Sequence, residues 1–572
     1  MLIKFIRRCF RLLRRHPSDR DRHSAIEAMF RRATALAERG EKEQAITAFE
    51  QVLAEDPEWI GALHGLGLQL LLCGRHEHAL ALATEVAERA PGLADAWIIR
   101  TFASHGLGLM DEALHAVRQA ITLKPDPSYI SFAGVILFQL GRVSEAVKEF
   151  ERALTLSPDD ETIHSNRLFA LALLPGFSRQ QRLEAHFEWG KRVDARFAPF
   201  RLPHTNDRNR ERKLRIGYVS ADLRHHPVAY LLEPILEKHD RSKFDIYCYD
   251  CQPGNSDTVT QRLSRHADAW IRCGADDYVT LANRIRSDQI DILVDLAGHT
   301  AWNRLPVFAM RPAPIQVSWF GYMNTTGLKS IDYRFADATI CPPGTEGAYT
   351  EQIVRLPAVV AWAPAAGCPD ICAPPHQKNG NITFGSVNNW AKTSDAVIAC
   401  WARILLRCPG ALLRIIAAGG DTPQIMTEIE QKFSANGVSA GRLKISGPTS
   451  LSGFLNILNE IDIVLDPFPY NGGTTSFHAF WMGVPIVSKR TDDEFGLAGF
   501  GILTSVGLSE LCASTADSYV DIALKLAKDP EKLKLLRTQL RGRLAVTSVM
   551  DSGAVALSVE DAYRAMWHNW LA

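Results

Sequence analysis

Two glycines followed by two threonines at the start of a helical stretch can hold an anion. They lie in 465–487, LDPFPYNGGTTSFHAFWMGVPIV. The apolar run 461–466 is broken by Pro467, Pro469 and the turn Asn471-Gly472-Gly473. Thr474 and Thr475 then open a helix expected to run to about Trp481, and Gly483-Val484-Pro485 stops it. Glycines let a ligand approach the backbone closely, the unpaired N–H groups of a first turn point at it, and the helix dipole favours negative charge. The threonine hydroxyls add two hydrogen-bonding groups. No lysine follows the glycines as it does in a Walker loop, so the pattern suits a nucleotide-linked donor better than ATP cleavage. An ordinary Gly-rich helix start is the alternative.

Other reactive residue types gather just past apolar runs. SADLRHHP, 220–227, follows LRIGYV, and His226-Pro227 begins a helix. An imidazole there faces a cleft and can take a proton from a hydroxyl near neutral pH, or it simply caps the helix. DLAGHT, 295–300, is succeeded by Asn303-Arg304. In RPAPIQVSWFGYMNTTG, 311–327, Gly321 and Gly327 bracket a strand-to-loop transition with Tyr322 expected exposed beside it. VNNWAKTSD, 387–395, sets Lys392 where its ammonium can meet a pyrophosphate. Each alone could be a surface loop. Their common place at strand ends argues for a site, because open parallel sheets bind ligands at their carboxyl edge. Cys248 and Cys251 form a CxxC with no second pair, which reads as buried free thiols rather than a metal or redox site.

These residues need elements to position them. LRIGYVSAD, FDIYCY, DILVDLAG and PIQVSWF are short apolar runs separated by helical stretches. The alternation predicts βαβ units and a parallel sheet. It restarts at NITFGSV, followed by LLRIIAAG, RLKISG, DIVLD and PIVSK. A Pro/Gly/Cys-rich hinge, 363–380, separates two Rossmann-like domains, 213–362 and 381–572, the second ending in three amphipathic helices. Upstream, Gly40, Gly74, Gly108 and Gly141 recur with Ala45, Ala79, Ala113 and Ala146 and with Pro57, Pro91, Pro125 and Pro158. This register resembles the tetratricopeptide repeat, an α-helical superhelix over 27–160 whose groove holds a protein or peptide. A helical linker, 161–212, joins the two parts.

Residues 1–26 form a basic leader in which Ile3, Ile6, Phe10 and Leu13 fall near helical spacing among arginines. It reads as an extra packing helix or a disordered leader, ahead of a membrane-surface or partner-docking helix. Lys+Arg and Asp+Glu are 64 each, so no global charge argues for nucleic acid or an anionic membrane. No apolar run reaches the length of a transmembrane helix. A reducing, cytoplasmic setting is expected.

Taken in order, the repeats, IGYVSADLRHHP, DLAGHT with Asn303-Arg304, RPAPIQVSWFGY, NNWAK and LDPFPYNGGTT with WMGVPIV are similar to the O-linked N-acetylglucosamine transferase family, and most to its compact bacterial members. The resemblance implies a GT-B fold with the donor held mainly by the C-terminal Rossmann-like domain. It implies inverting transfer of N-acetylglucosamine from UDP-N-acetylglucosamine to Ser or Thr of proteins, with no cofactor and no catalytic metal; a lysine and a helix N-terminus carry the leaving-group charge. A plant relative, SPINDLY, shares the motifs and transfers fucose from a GDP donor, so the sugar stays open. A repeat scaffold with a degenerate transferase domain is a third reading.

Carried over by position, His226 matches a histidine proposed as base or acceptor-side group, and Lys392 the lysine on the pyrophosphate. Asn389 falls where a glutamine contacts the nucleotide, and Gly473, Thr474 and Thr475 match the phosphate-binding turn, with Gly472 beside them on the donor side. The resemblance sets Gly321 on the donor side, and His299 and Tyr322 with His226 on the acceptor side. His478 stands where an acidic residue often binds ribose, and Phe454 where a histidine lies against uracil. Met323-Asn324 replaces Pro-Gly after Gly321-Tyr322. The first asparagine of the chain is Asn166, so the asparagine ladder of the animal enzyme's groove cannot exist here.

Overall fold

The computed structural model describes residues 20–572 apart from Asn255 and Ala366. Most of the basic leader, residues 1–19, therefore lies outside the described residues. The described residues fall into two compact units, one of 20–163 with 417–428 and the other of 164–416 with 429–572.

The first unit is an array of helix pairs: Arg20–Glu38 with Lys42–Glu55, Ile60–Leu72 with His76–Arg89, Ala94–Gly106 with Met110–Leu123, and Pro127–Gln139 with Val143–Leu156. The periodic residues explain the pairing. Gly40, Gly74, Gly108 and Gly141 all have φ between 76° and 80°, the left-handed conformation that ends one helix and turns the chain into the next. Ala45, Ala79, Ala113 and Ala146 are fully buried, so a larger side chain there would push the paired helices apart. Each periodic proline lies just past the second helix of a pair, which it cannot continue.

The second unit holds two parallel sheets. The first comprises β1 (Leu214–Ser220), β2 (Phe244–Asp250), β3 (Ala269–Arg272), β4 (Ile292–Asp295), β5 (Ile315–Ser318), β6 (Tyr333–Ala336) and β7 (Gln352–Arg355), in the order β3-β2-β1-β4-β5-β6-β7. The second comprises β8 (Thr383–Ser386), β9 (Leu412–Ile416), β10 (Leu443–Ser446), β11 (Ile463–Leu465), β12 (Ile486–Lys489) and β13 (Cys512–Ala513), in the order β10-β9-β8-β11-β12-β13. In each sheet the strand order reverses between two neighbours, β1/β4 and β8/β11. Loops leaving the carboxyl ends of such a pair diverge and open a crevice.

One boundary needs correction. The sequence assigns all of 381–572 to the second domain, but the last helix, Ser552–Leu571, returns to the first sheet. Its Val555, Val559, Tyr563, Met566 and Trp567 share a core with Leu214, Ile216, Tyr218, Phe244 and Trp319. Glu560 fixes the docking by accepting from His239 Nδ1 at 2.9 Å. An apolar helical stripe says that a helix packs, not on which sheet. Cys248 and Cys251 are buried, and Cys251 Sγ lies 3.2 Å from Cys273 Sγ on the neighbouring strand end.

Candidate functional site

β8 and β11 are neighbours, so the loops that follow them emerge side by side at the second sheet's reversal. The β11 loop is organised by a residue that the sequence reading did not single out. Asp466 is buried and accepts the Gly472 N–H at 2.8 Å, the Ser488 hydroxyl at 2.8 Å and the Asn388 amide at 3.1 Å. Burial pushes its carboxyl up to about 6, against those hydrogen bonds and the nearby Lys392 charge.

Lys392 arrives from the β8 loop through a short 3₁₀ turn, Trp390–Lys392. Its Nζ donates to the Asn471 carbonyl at 2.8 Å and lies 4.1 Å from the centre of the Tyr470 ring. Burial brings its ammonium down to about 8, and Asp466 opposes the shift. One bond to a carbonyl leaves an ammonium two further N–H donors. A cation thus sits on the turn that opens the Thr474–Trp481 helix.

The two glycines of this turn differ. A Cβ at Gly472 would lie 2.7 Å from Ser476 Oγ, 2.8 Å from Thr475 Oγ1 and 2.9 Å from Asn388 Oδ1, and its N–H already serves Asp466. Gly472 is therefore a close-packing glycine whose amide faces the protein, which corrects its expected role as a donor contact. Gly473 is exposed, with open space where a Cβ would stand, and Thr474 and Thr475 are partly exposed. The backbone from Gly473 onward forms the accessible part of the cradle. Thr475 donates its hydroxyl to Asn388 Oδ1 at 2.8 Å, which ties the helix start to the β8 loop.

Asn389 stands apart from this group. It is exposed, and its side chain accepts the Ala391 N–H at 3.0 Å. The inward residue is its neighbour Asn388. Nothing in an Asn-Asn pair tells which member points in, because that depends on where the strand ends.

Phe454, His478 and Trp362 pack together further along the helix. The Phe454 and His478 rings meet edge to face at 5.8 Å, and Trp362 and His478 do so at 5.5 Å. His478 is 5% exposed, and burial pushes its imidazole down to about 4, so it is neutral at physiological pH. Its Nδ1 and the Trp362 Nε1 are both buried without a protein hydrogen-bond partner. Such atoms are costly unless a ligand or water satisfies them. Trp362 lies beside the hinge and carried no sequence signal.

The sequence candidates of the first sheet divide into two groups. His226 is the N-cap of the Pro227–Lys238 helix, its Nδ1 accepting the Val228 N–H at 3.3 Å with Asp222 Oδ2 at 3.7 Å. Its side chain stays one-third exposed, and burial lowers its basicity while Asp222 raises it. Tyr322 and His299 instead require correction: both are buried to about 1% exposure. Tyr322 Oη pairs with His186 Nε2 at 2.9 Å. His299 uses both ring nitrogens, with Ser165 Oγ at 3.1 Å and the Thr326 carbonyl at 2.9 Å. They form a closed aromatic cluster with His186 and Trp189 rather than an acceptor-facing surface. A tyrosine after a Gly turn reads as exposed only when the partner helix, distant in sequence, is unknown. Gly321 is not an open donor contact either, since a Cβ there would fall 1.7 Å from the Leu296 carbonyl oxygen.

Among the described residues, no cluster of three or more His, Cys, Asp or Glu is arranged to hold a metal ion, and no helix is long and apolar enough to cross a membrane.

The family model of glycosyl transferase family 41 matches residues 193–361 and 376–556. Tetratricopeptide-repeat models match 27–58 and 134–173. The probable UDP-N-acetylglucosamine--peptide N-acetylglucosaminyltransferase SPINDLY of Hordeum vulgare is 37% identical over 415 residues, covering 71% of this chain and 43% of that protein. The protein of Arabidopsis thaliana that carries the same enzyme name with the designation SEC is 27% identical, over 62% of this chain and 37% of its own length. The chain thus spans under half the length of these curated relatives. A mutant O-GlcNAc transferase of Thermobaculum terrenum superposes with a TM-score of 0.83 at 35% identity, over 90% of this chain and 98% of that one.

Proposed function

Because this chain belongs to glycosyl transferase family 41, we propose that it transfers N-acetylglucosamine from UDP-N-acetylglucosamine to serine or threonine hydroxyls of proteins. The reading rests most on one observation, the Lys392 ammonium seated on the Asn471 carbonyl at the mouth of the Thr474 helix. A cation and a helix N-terminus at one point favour the charge that develops on a departing diphosphate. The acceptor oxygen attacks the anomeric carbon, the bond from that carbon to the β-phosphate oxygen breaks, and the electron pair leaves with UDP. Lys392 and the N–H groups from Gly473 onward stabilise that charge without a metal, and the hydroxyl proton passes to His226, directly or through water. The neutral pair His478 and Trp362 satisfies its free nitrogens on the nucleoside, beside the Phe454 ring. The repeat array presents the acceptor protein.

Calorimetric titration with UDP and GDP tests the donor. UDP binding with loss of turnover in a well-folded Lys392→Ala variant is expected, and a fully active variant sinks the assignment. A GDP-fucose donor is the second reading. It follows from the resemblance to SPINDLY stated above, and binding of GDP in preference to UDP would select it. Failure of both nucleotides at millimolar concentration would leave a repeat scaffold with a degenerate transferase domain.

A further inference from the structure

The Arg179–Phe197 helix touches both Rossmann-like domains, through Tyr322 of the first and Asp493 of the second. Toward the first, His186 Nδ1 donates to the Arg182 carbonyl at 2.6 Å, which leaves Nε2 to accept from the Tyr322 hydroxyl at 2.9 Å. Toward the second, one turn earlier, Arg182 forms an ion pair with Asp493. Both partners are buried, at 5% and 6% exposure. Arg182 also donates to the Phe177 carbonyl at 2.9 Å, and its guanidinium lies 5.8 Å from the centre of the Phe495 ring. Arg179 adds a longer contact to Glu494, at 3.4 Å.

Asp493 in turn begins the Glu494–Ser505 helix, accepting the Gly496 N–H at 3.3 Å and the Thr491 hydroxyl at 2.6 Å. Phe495, two residues on, reaches the phosphate turn twice. The Phe495 carbonyl accepts the Asn471 N–H at 3.2 Å, and the Phe495 ring packs on Tyr470 with centroids 4.5 Å apart. Asn471 and Tyr470 are the two residues that seat Lys392. An unbroken series of contacts therefore runs from Arg182 through Asp493, Phe495 and Asn471 to the Lys392 ammonium.

We infer that Arg182 is a positioning residue for the phosphate site: its buried pair with Asp493 holds the start of the Glu494–Ser505 helix, and through Phe495 it sets the Asn471 carbonyl and Tyr470 ring that place Lys392. A buried charge that loses its partner is unfavourable, so the pair resists opening and confines the helix start to one place. The inference rests on the reading of 471–475 as a phosphate site. Sequence distance hid it, since Arg182 and Asp493 are separated by 311 positions.

The test uses the full chain with Arg182→Gln, Asp493→Asn and the double variant. It reads the Kd for UDP by calorimetry and amide hydrogen exchange peptide by peptide. Arg182→Gln should raise the Kd at least tenfold and speed exchange at Asn471 and Gly496 by a similar factor, while β1 and β8 stay as protected as in the wild type. The double variant should bind UDP no worse than either single one, because both act through the same contact. A Kd within twofold together with unchanged exchange overturns the inference. If the wild type binds neither UDP nor GDP, the donor reading fails, and the exchange pattern alone decides the role of Arg182. Should a single variant unfold, the double variant, which leaves a neutral pair, carries the same measurement. Loss of fold in all three overturns the inference, since the pair would then hold the domain rather than the turn.

Discussion

Lys392 and His226 are both tuned by burial, and each tuning has a measurable consequence. Burial brings Lys392 down to about 8, so the free protein loses this cation as pH rises through 8. UDP affinity is therefore expected to hold up to about pH 7 and to weaken above pH 8, because the neutral amine no longer offsets the diphosphate charge. Titrations at three pH values read this directly, and an affinity flat from pH 7 to 9.5 would remove Lys392 from the phosphates. For His226 the geometry adds a condition. With Nδ1 accepting the Val228 N–H, the neutral ring carries its proton on Nε2 and can only donate from that side. Taking a proton at Nε2 requires the tautomer with Nδ1–H turned to Asp222, 3.7 Å away. His226→Ala should then cost about 10²–10⁴ in rate, and Asp222→Asn should lower the rate without changing the Kd for UDP. A loss below tenfold in His226→Ala would reduce the histidine to a positioning role. Lys392 and the Gly473-Thr474-Thr475 turn were legible as candidates because glycine turns and strand-end lysines have local signatures, and the structure sets Lys392 on the Asn471 carbonyl of that turn. Sequence reading missed Asp466 and Asn388, whose importance lies in what they touch across the sheet.

At the level of elements, the repeat helices approach through their small residues. A Cβ on Gly134 would stand 2.6 Å from the Phe150 ring, inside any permitted contact. Gly134→Ala is expected to destabilise the protein by about 1–3 kcal/mol through overpacking. Gly92→Ala, where a Cβ meets nothing within 4 Å, should change stability little. Thermal or urea unfolding of the two variants checks the contrast, and equal midpoints would contradict the close helix crossing. The same scale shows which strands the sequence hid. β3, β7 and β13 are edge strands, the first two exposing part of both faces, while β6, one place in from the edge and largely buried, is too short to stand out. A strand buried on both faces reads as a continuous apolar run, while a short edge strand does not. AWIR and QIVR accordingly do not stand out as strand-like runs, whereas ILVD and IDIVLD do.

The whole molecule carries a buried histidine cluster that should set its acid limit. Burial pushes His186 down to about 4 and His299 well below the usual imidazole range. Both folded-state values lie below the unfolded value near 6.5, so the unfolded chain binds protons first as pH falls. Stability from these groups is complete above about pH 6.5 and is lost as pH falls toward 4, by on the order of 3 kcal/mol for His186. Urea midpoints at pH 7.5 and 4.5 test this, and a higher midpoint at the acid pH would contradict it. The sequence by itself determined the repeat array, the two parallel βα domains and the Gly-rich turn that opens the Thr474 helix, because periodicity, strand runs and glycine turns are properties of neighbouring residues. Only the tertiary structure decided that Tyr322 and His299 turn inward, that the last helix returns to the first sheet, and that Arg182 reaches Asp493. Those outcomes depend on which apolar and charged faces meet across hundreds of residues, and burial, not local pattern, selects among them.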